Sequence, residues 1–530
     1  YALKFYGIKK TLRMLKGMFA FSFYNKKCNL MQLARDRMGE KPLYYGKIGK
    51  SFVFSSELKA IKSFPGFDKA IDLNALNLYF RYHYVPHPSS IFKGISKLPQ
   101  GCFVTIKGNG EKVSHPCQYW SYEEERNKLV DYIDSSDKVV LDKFKNIMLG
   151  SVESMMISDV PIGAFLSGGI DSSLVVSMMQ SLSNRPIETF NIGFNVKEFD
   201  ESIQARKISK YLGTNHNELV LTSKDALNIA PIVSSIWDEP FSDPSQIPTY
   251  ILNKFAKKNV TVCLTGDGGD ELFYGYSRYL LFRKFTKIQS LMPSSLAPLM
   301  NNIKNILFTN DSYLYSKGLK RKIMQLINML STGDTITSYD LMMLHNIDSH
   351  SLINYQEVDN FEGVSNLTNP TSLMRGFSEK ESGVMAYDIM NYLADDILVK
   401  TDRASMANSL EVRAPFLDQK VVEFSATLPM HYKYRNGETK WIVKEINHEF
   451  LPKELTNGQK KGFGIPVQSW LKGPLKDWCL DTLDTSVIKN DGILNYKTIS
   501  RMKHSFYKDN IPLHRNLWSV LMYQSWYKGL

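Results

Sequence analysis

The sequence predicts an α/β chain: a β-rich N-terminal region, a parallel sheet with helices on both faces, and a mostly helical C-terminal part. Three observations predict it. Short strand-like runs crowd residues 1–120. Between about 160 and 265, apolar runs alternate with helix-period segments, which implies right-handed βαβ units. Glycine-containing turns follow three of the expected strands, and parallel sheets bind ligands beyond the carboxyl ends of their strands.

The elements follow in order. Met18–Phe23, Asn29–Ala34, Leu43–Tyr45, Ser51–Ser55 and Cys102–Ile106 read as strands between turn residues. Asp72–Phe80 reads as a helix. Residues 121–139 are polar, with Glu123, Glu124, Glu125 and Arg126, and read as a linker. An amphipathic helix is expected over 139–157. Strands are expected at Ile162–Leu166, Glu188–Phe194, Glu218–Leu221 and Val260–Leu264, with helices at 172–182, 201–212 and 225–236. From about 275 onward the pattern is mainly helical. There, Asp395 to Met406 reads as one helix, with Asp396 and Lys400 spaced for i,i+4 pairing. Leu410 to Asp418 reads as a loop fixed by ion pairs of Arg413 and Asp418 around Pro415.

Composition narrows the function classes. A chain of 530 residues holds two or more domains. Apolar content of 43% and charge of 22% are ordinary for a globular enzyme. The net charge of +12 comes from scattered lysines. It reads as a Lys-rich surface, not a nucleic-acid site. Five cysteines without a C-x-x-C pair fit a reducing compartment and argue against a disulfide framework or structural zinc. No apolar run reaches membrane-spanning length and no signal peptide is evident. The expectation is a cytoplasmic protein without membrane or nucleic-acid partners. The first residue is Tyr1, so the sequence is expected to begin inside a longer chain.

The most informative stretch is Leu166-Ser167-Gly168-Gly169-Ile170-Asp171-Ser172-Ser173. A Gly-rich turn between strand and helix lets backbone N–H groups converge on an anion, and the helix N-terminus adds positive charge there. The hydroxyls of Ser167, Ser172 and Ser173 can donate to phosphate. Asp171 would repel phosphate unless a Mg²⁺ sits between them. An ordinary capped turn is the plain alternative. The second loop, Thr265-Gly266-Asp267-Gly268-Gly269-Asp270-Glu271, follows another expected strand. Carboxylates this close repel unless a cation offsets them. Asp270 would complete a metal site opposite Asp171, leaving Asp267 to act as a base or to position a nucleophile; a solvated acidic turn is the plain alternative. Further on, Lys460 and Lys461 enter a Gly-rich turn, and spacing does not distinguish them. A cation aimed at the α-phosphoryl group would stabilise charge that grows in the transition state.

These segments, in this order, resemble the glutamine-dependent asparagine synthetase family. Ser167 to Ser173 resembles the pyrophosphate loop of the N-type ATP pyrophosphatases. Thr265 to Glu271 resembles the family's Ser-Gly-Asp-Gly-Gly-Asp-Glu, with Thr for Ser. Asp238 to Ser245, which resembles its Asp-Glu-Pro segment, Asp396 to Met406, Glu411 to Asp418 and Lys460-Lys461-Gly462-Phe463 fit its other signatures. Gly17 to Phe21, Ala34 to Tyr45 and Phe54 to Lys59 are similar to the later half of its glutaminase domain. The resemblance implies a partial N-terminal-nucleophile hydrolase domain over 1–120, a linker over 121–138 and an ATP-pyrophosphatase-like synthetase domain over 139–530. The glutaminase nucleophile of that family is an N-terminal cysteine, and none in this sequence fits the role.

What the resemblance implies is ATP-dependent amide formation. A carboxylate, that of the aspartate side chain first, attacks the α-phosphorus of ATP. Pyrophosphate leaves onto the Ser167–Ser173 loop, with Mg²⁺ on Asp171 and Asp270. Ammonia, supplied from glutamine, then attacks the acyl-adenylate. Asp267 is the candidate for handling the ammonia and Lys460 for the α-phosphoryl charge. Thr265 lies in the same nucleotide site, and backbone at Leu166, Ile192 and Gly266 is expected to hold adenosine at strand ends. Arg403 supports the site. Related enzymes use sugar, peptide or β-lactam precursor carboxylates, so the acceptor stays open. ATP and Mg²⁺ are the expected cofactors, and a homodimer is an expected assembly.

Overall fold

The computed structural model describes residues 1–128, 135–194, 200–291, 299–300, 302–303, 318–331, 335–346, 349–354, 379–456 and 464–530. The N-terminal region builds two antiparallel sheets. One joins β1 (Ala20–Asn25), β2 (Leu30–Arg35), β6 (Cys102–Lys107) and β7 (Lys112–Val113), with β8 (Cys117–Gln118) also on β6. The other joins β3 (Tyr44–Ile48), β4 (Ser51–Ser55) and β5 (Ile95–Lys97). Leu33, Leu43, Leu98, Val104 and Ile106 form a core of this region alone. The helix Leu73–Tyr82 starts where Asp72 caps two backbone N–H groups, at Asn74 and Ala75.

The expected parallel sheet forms from β9 (Ile162–Phe165), β10 (Glu188–Phe194), β11 (Asn215–Leu221), β12 (Val262–Leu264) and β13 (Glu411–Arg413), in the order β11-β10-β9-β12-β13. Both faces are covered. Val262 and Leu264 pack into one core with Phe144, Leu174 and Phe416. Cys263 points the other way, into a second core with Phe190, Ile247 and Trp518. That alternation on a wholly apolar strand is what burial on both faces requires. The second core also takes in Tyr44, Leu76, Tyr79 and Phe92, so the N-terminal region shares apolar packing with the rest.

Three expectations need correction. Glu411–Arg413 is a fifth parallel strand, not a loop. Arg413 pairs with Glu411 and donates to the Met155 and Ile157 carbonyls, while Asp418 caps the next helix at the Lys420 N–H. A three-residue edge strand carries too little periodicity to show in sequence. Tyr122–Arg126, placed in the linker, is a short helix capped by Ser121. The run Asp395 to Met406 is not one regular helix. Ile389–Ile397 is wound as a π-helix and Leu398–Met406 as an α-helix. Lys400 accordingly pairs with Asp243 at 2.6 Å, not with Asp396.

Candidate active site

β9 and β12 are neighbours, pairing Ile162 with Val262, Gly163 with Cys263 and Ala164 with Leu264. Their carboxyl ends therefore share one rim, and the loop after each starts beside the other. The first loop enters the helix Ile170–Leu182, whose first turn carries Asp171. The second enters the short helix Gly269–Leu272. Glycine permits the contact between them. A Cβ on Gly266 would lie 2.8 Å from the Ser172 nitrogen, and one on Gly269 would lie 2.5 Å from Asp171 Oδ1. Gly168 has φ +84°, and a Cβ there would meet the Ala205 nitrogen at 2.9 Å.

Asp171 and Asp270 converge on one cation, the side chain of Lys440. Its ammonium contacts Asp171 Oδ2 and lies 2.5 Å from Asp270 Oδ1. Burial alone would lower the lysine pKa, but the two carboxylates outweigh it and raise it. Lys440 follows the hairpin of β14 (Tyr434–Arg435) and β15 (Glu438–Thr439), whose turn is Asn436 and Gly437, both at positive φ. Lys440 itself has φ +55° and is 5% exposed, at the start of the helix Trp441–His448. A left-handed non-glycine costs about 1–2 kcal/mol and persists where its surroundings hold it. Among the described residues no group of three or more His, Cys, Asp or Glu is placed to hold a metal. Two carboxylates on one cation are a partial set of hard oxygen ligands. They suit a Mg²⁺ whose remaining ligands are phosphate and water.

The serines brace the first loop. Ser173 Oγ donates to the Gly169 carbonyl at 2.7 Å, and Ser167 Oγ and Ser172 Oγ are 3.0 Å apart. Gly169 N–H donates to Ser167 Oγ at 3.2 Å. Thr265 is buried, and its N–H donates to the Arg413 carbonyl at 2.9 Å. Leu166 and Ile192 have buried side chains. The Leu166 N–H donates to the Phe190 carbonyl and its carbonyl accepts from Asn191. Ile192 stands two residues inside β10, in register with Leu219, so it is not at the strand end expected.

Asp267 sits on the other side of the second loop. Thr401 Oγ1 donates to its Oδ2 at 3.0 Å. Burial raises its carboxyl pKa, and the Lys400 ammonium and the Thr401 and Thr265 hydroxyls offset part of that. Glu271 is pushed up to about 7, by burial and then by Asp270; the Tyr276 hydroxyl donates to it. Arg403, expected to support the site, turns away from both loops to other partners among the described residues. It bonds Asp238 Oδ2 at 3.0 Å and the Ser56 carbonyl at 2.5 Å, tying the N-terminal region to the sheet domain. Lys460 and Lys461 lie outside the described residues.

A family model described as asparagine synthase matches residues 143–528. One described as a glutamine amidotransferase domain matches residues 1–120. The chain belongs to the asparagine synthase family. A glutamine-hydrolysing asparagine synthetase of Bacillus subtilis, number 1, is 30% identical over 520 residues, covering 97% of this chain and 77% of that protein. Its number 3 is 26% identical, covering 88% of this chain and 72% of that protein. The amidase chyE of Penicillium rubens is 26% identical, covering 89% and 73%.

As an asparagine synthase family member the chain is an enzyme, a ligase of the amidotransferase kind. Its fold is that of the ATP-using synthetases preceded by a glutaminase-type region. Among the described residues no helix is long and apolar enough to cross a membrane. Lys440 is not legible in the sequence, because it carries no motif beyond an Asn-Gly turn. Asp243 lies in the Asp238–Ser245 segment, and only the structure shows its pairing with Lys400 at 2.6 Å.

Proposed function

We propose that the chain converts aspartate to asparagine through a β-aspartyl-adenylate, releasing AMP and pyrophosphate. One observation carries the reading: two acidic, glycine-rich loops on adjacent parallel strands aim their carboxylates at one cation. Domain limits of 1–120, 121–138 and 139–530 go with this proposal, glutamine supplying ammonia through the first.

The aspartate β-carboxylate attacks the α-phosphorus of ATP, and the bond to pyrophosphate breaks. Backbone N–H groups at the start of the helix Ile170–Leu182 and the Ser167, Ser172 and Ser173 hydroxyls would receive the leaving phosphates. The Lys440 ammonium, between Asp171 and Asp270, would add positive charge at this end of the site. Mg²⁺, when bound by Asp171 and Asp270, would supply charge neutralisation to the pyrophosphate. Ammonia then attacks the acyl carbon, AMP leaves, and the nitrogen gives up a proton. Asp267 is assigned that proton, because a raised pKa makes its carboxylate a better base. The role of Lys460 at the α-phosphoryl group rests on sequence alone.

The test is pyrophosphate release with ATP, Mg²⁺ and ammonium, with and without aspartate. Aspartate-dependent pyrophosphate in step with asparagine is expected. Protein that binds ATP yet releases none with aspartate would refute the aspartate reading and turn attention to another carboxylate.

A further inference from the structure

The second glycine-rich loop has little structure of its own to hold it. Gly269–Leu272 is a single helical turn without a side-chain cap, and one turn is too short to persist unaided. It nevertheless presents Asp270 to the Lys440 ammonium at 2.5 Å. The chain after it doubles back against the same two groups. The Gly275 N–H donates to the Asp270 carbonyl at 2.8 Å, and a Cβ on Gly275 would overlap Asp270 Oδ1 and Lys440 Cε. Just before it, Tyr274 takes a left-handed φ of +63°, a conformation that a tyrosine keeps only where its surroundings impose it. Those surroundings include Tyr279, whose carbonyl accepts from the Tyr274 hydroxyl at 3.0 Å.

Arg278, on the next helix (Ser277–Leu291), closes this turn from outside. Its guanidinium lies 3.7 Å from the ring centre of Tyr276. The Tyr276 hydroxyl in turn donates to Glu271, the residue after Asp270. Arg278 Nε and Nη2 donate to Asp388 Oδ2 at 3.0 and 2.7 Å, and the Tyr339 hydroxyl donates to the same oxygen at 2.7 Å. Asp388 is fully buried, at the end of the helix Lys380–Asp388. A buried ion pair is weak evidence for stability, since apolar side chains often serve as well. What it supplies here is direction. The planar fork engages Asp388 by its edge and Tyr276 by its face, which a lysine ammonium cannot do. We infer that Arg278 is a positioning residue: through Tyr276 and Glu271 it fixes the turn that carries Asp270, and so sets how well Asp171 and Asp270 together hold Mg²⁺. The inference rests on the proposed function for its reading of that carboxylate pair as metal ligands. Partners that orient metal ligands from outside change metal affinity by about 10–100-fold when they are lost.

The test is a double-mutant cycle on Arg278→Lys and Tyr276→Phe, read first by melting temperature with ATP present and Mg²⁺ titrated. Each single variant is expected to need about 10-fold more Mg²⁺ than wild type to reach half of its thermal shift. The double variant should also need about 10-fold more, not about 100-fold, because both side chains act through one path of contacts. The Mg²⁺ dependence of pyrophosphate release should move by the same factor, with kcat at saturating Mg²⁺ within about 3-fold of wild type. A merely structural role would lower the melting temperature in metal-free buffer and leave the Mg²⁺ half-point where it was; that result overturns the inference. So does a Tyr276→Phe half-point equal to that of wild type, or single effects that multiply in the double variant. Tyr276→Phe removes one hydroxyl and carries the test alone should Arg278→Lys not fold. A wild type whose melting temperature Mg²⁺ does not move beyond ATP alone overturns the inference as well. The melts need no acceptor. Wild type that shifts with Mg²⁺, and whose variants follow the cycle, yet releases no pyrophosphate with aspartate would refute the proposed function and leave the inference standing.

Discussion

Lys440 holds two carboxylates with one buried ammonium, and such an arrangement makes a single substitution expensive. Removing one partner of a buried ion pair typically costs about 3–5 kcal/mol, because the charges left behind have no partner. Lys440→Met is expected to lower thermal stability by that order in metal-free buffer. Mg²⁺ should then raise its melting temperature more than that of wild type, since Asp171 and Asp270 are left facing each other. Equal Mg²⁺ shifts in the two proteins would separate Lys440 from the metal site. Asp267 gives a kinetic expectation. Asp267→Asn keeps the shape and the Thr401 contact but removes the base. Amide formation should fall by about 10²–10⁴-fold, while aspartate-dependent ATP–pyrophosphate exchange persists. Loss of both steps together would place Asp267 in acceptor binding instead.

At the scale of elements, the site depends on how closely two loops approach. The helix Ile170–Leu182 and the loop after β12 meet through Gly266, where a Cβ would be 2.9 Å from Asp171 Cβ and closer still to backbone nitrogen. Neither neighbour is a flexible chain end. Gly266→Ala must therefore part the loops. The expected cost is about 1–3 kcal/mol of stability and at least about 10-fold in pyrophosphate release, since small misplacements near reacting groups are costly. Unchanged kinetics would mean that the loops do not act as a unit. The winding change within Ile389–Met406 has a comparable consequence. Asp395, Asp402 and Arg403 turn to His87, Lys41 and Ser56, while Lys400 and Thr401 turn to Asp243 and Asp267. One segment serves the N-terminal region on one side and the candidate site on the other.

Across the whole molecule, the N-terminal region and the sheet domain are joined by buried polar contacts. Arg403 reaches Ser56, Lys97 reaches Glu239, and His87 reaches Asp395. His83 and His345 stack across the same junction with ring centroids 4.0 Å apart. Burial lowers the His345 pKa to about 4, helped by Arg515, and burial lowers that of His83 as well. A histidine kept neutral by the fold stabilises fully above its unfolded pKa of about 6.5 and loses that contribution as pH falls toward the folded value. For His345 the loss amounts to at most about 3 kcal/mol. Denaturant melts between pH 7 and pH 4.5 should show His345→Phe losing less stability than wild type. Parallel losses would show that these rings do not report on the junction.

Strands such as Ser51–Ser55 and Glu188–Phe194 were legible because alternation, branched residues and flanking turns all sit within a few residues of one another. The same holds for the loops around Ser167 and Asp267, where chemistry and spacing are local. The sequence by itself determined the α/β class, the family and both glycine-rich loops. Only the tertiary structure decided that β13 closes the sheet edge, that Lys440 joins Asp171 to Asp270, that Lys400 belongs to Asp243, and that Arg403 serves the junction. The physical reason is sheet order. β9 and β12 lie about 100 residues apart in sequence yet pair directly, and the hairpin bearing Lys440 arrives from much farther along the chain. Contacts of that span follow from packing, which no local period encodes.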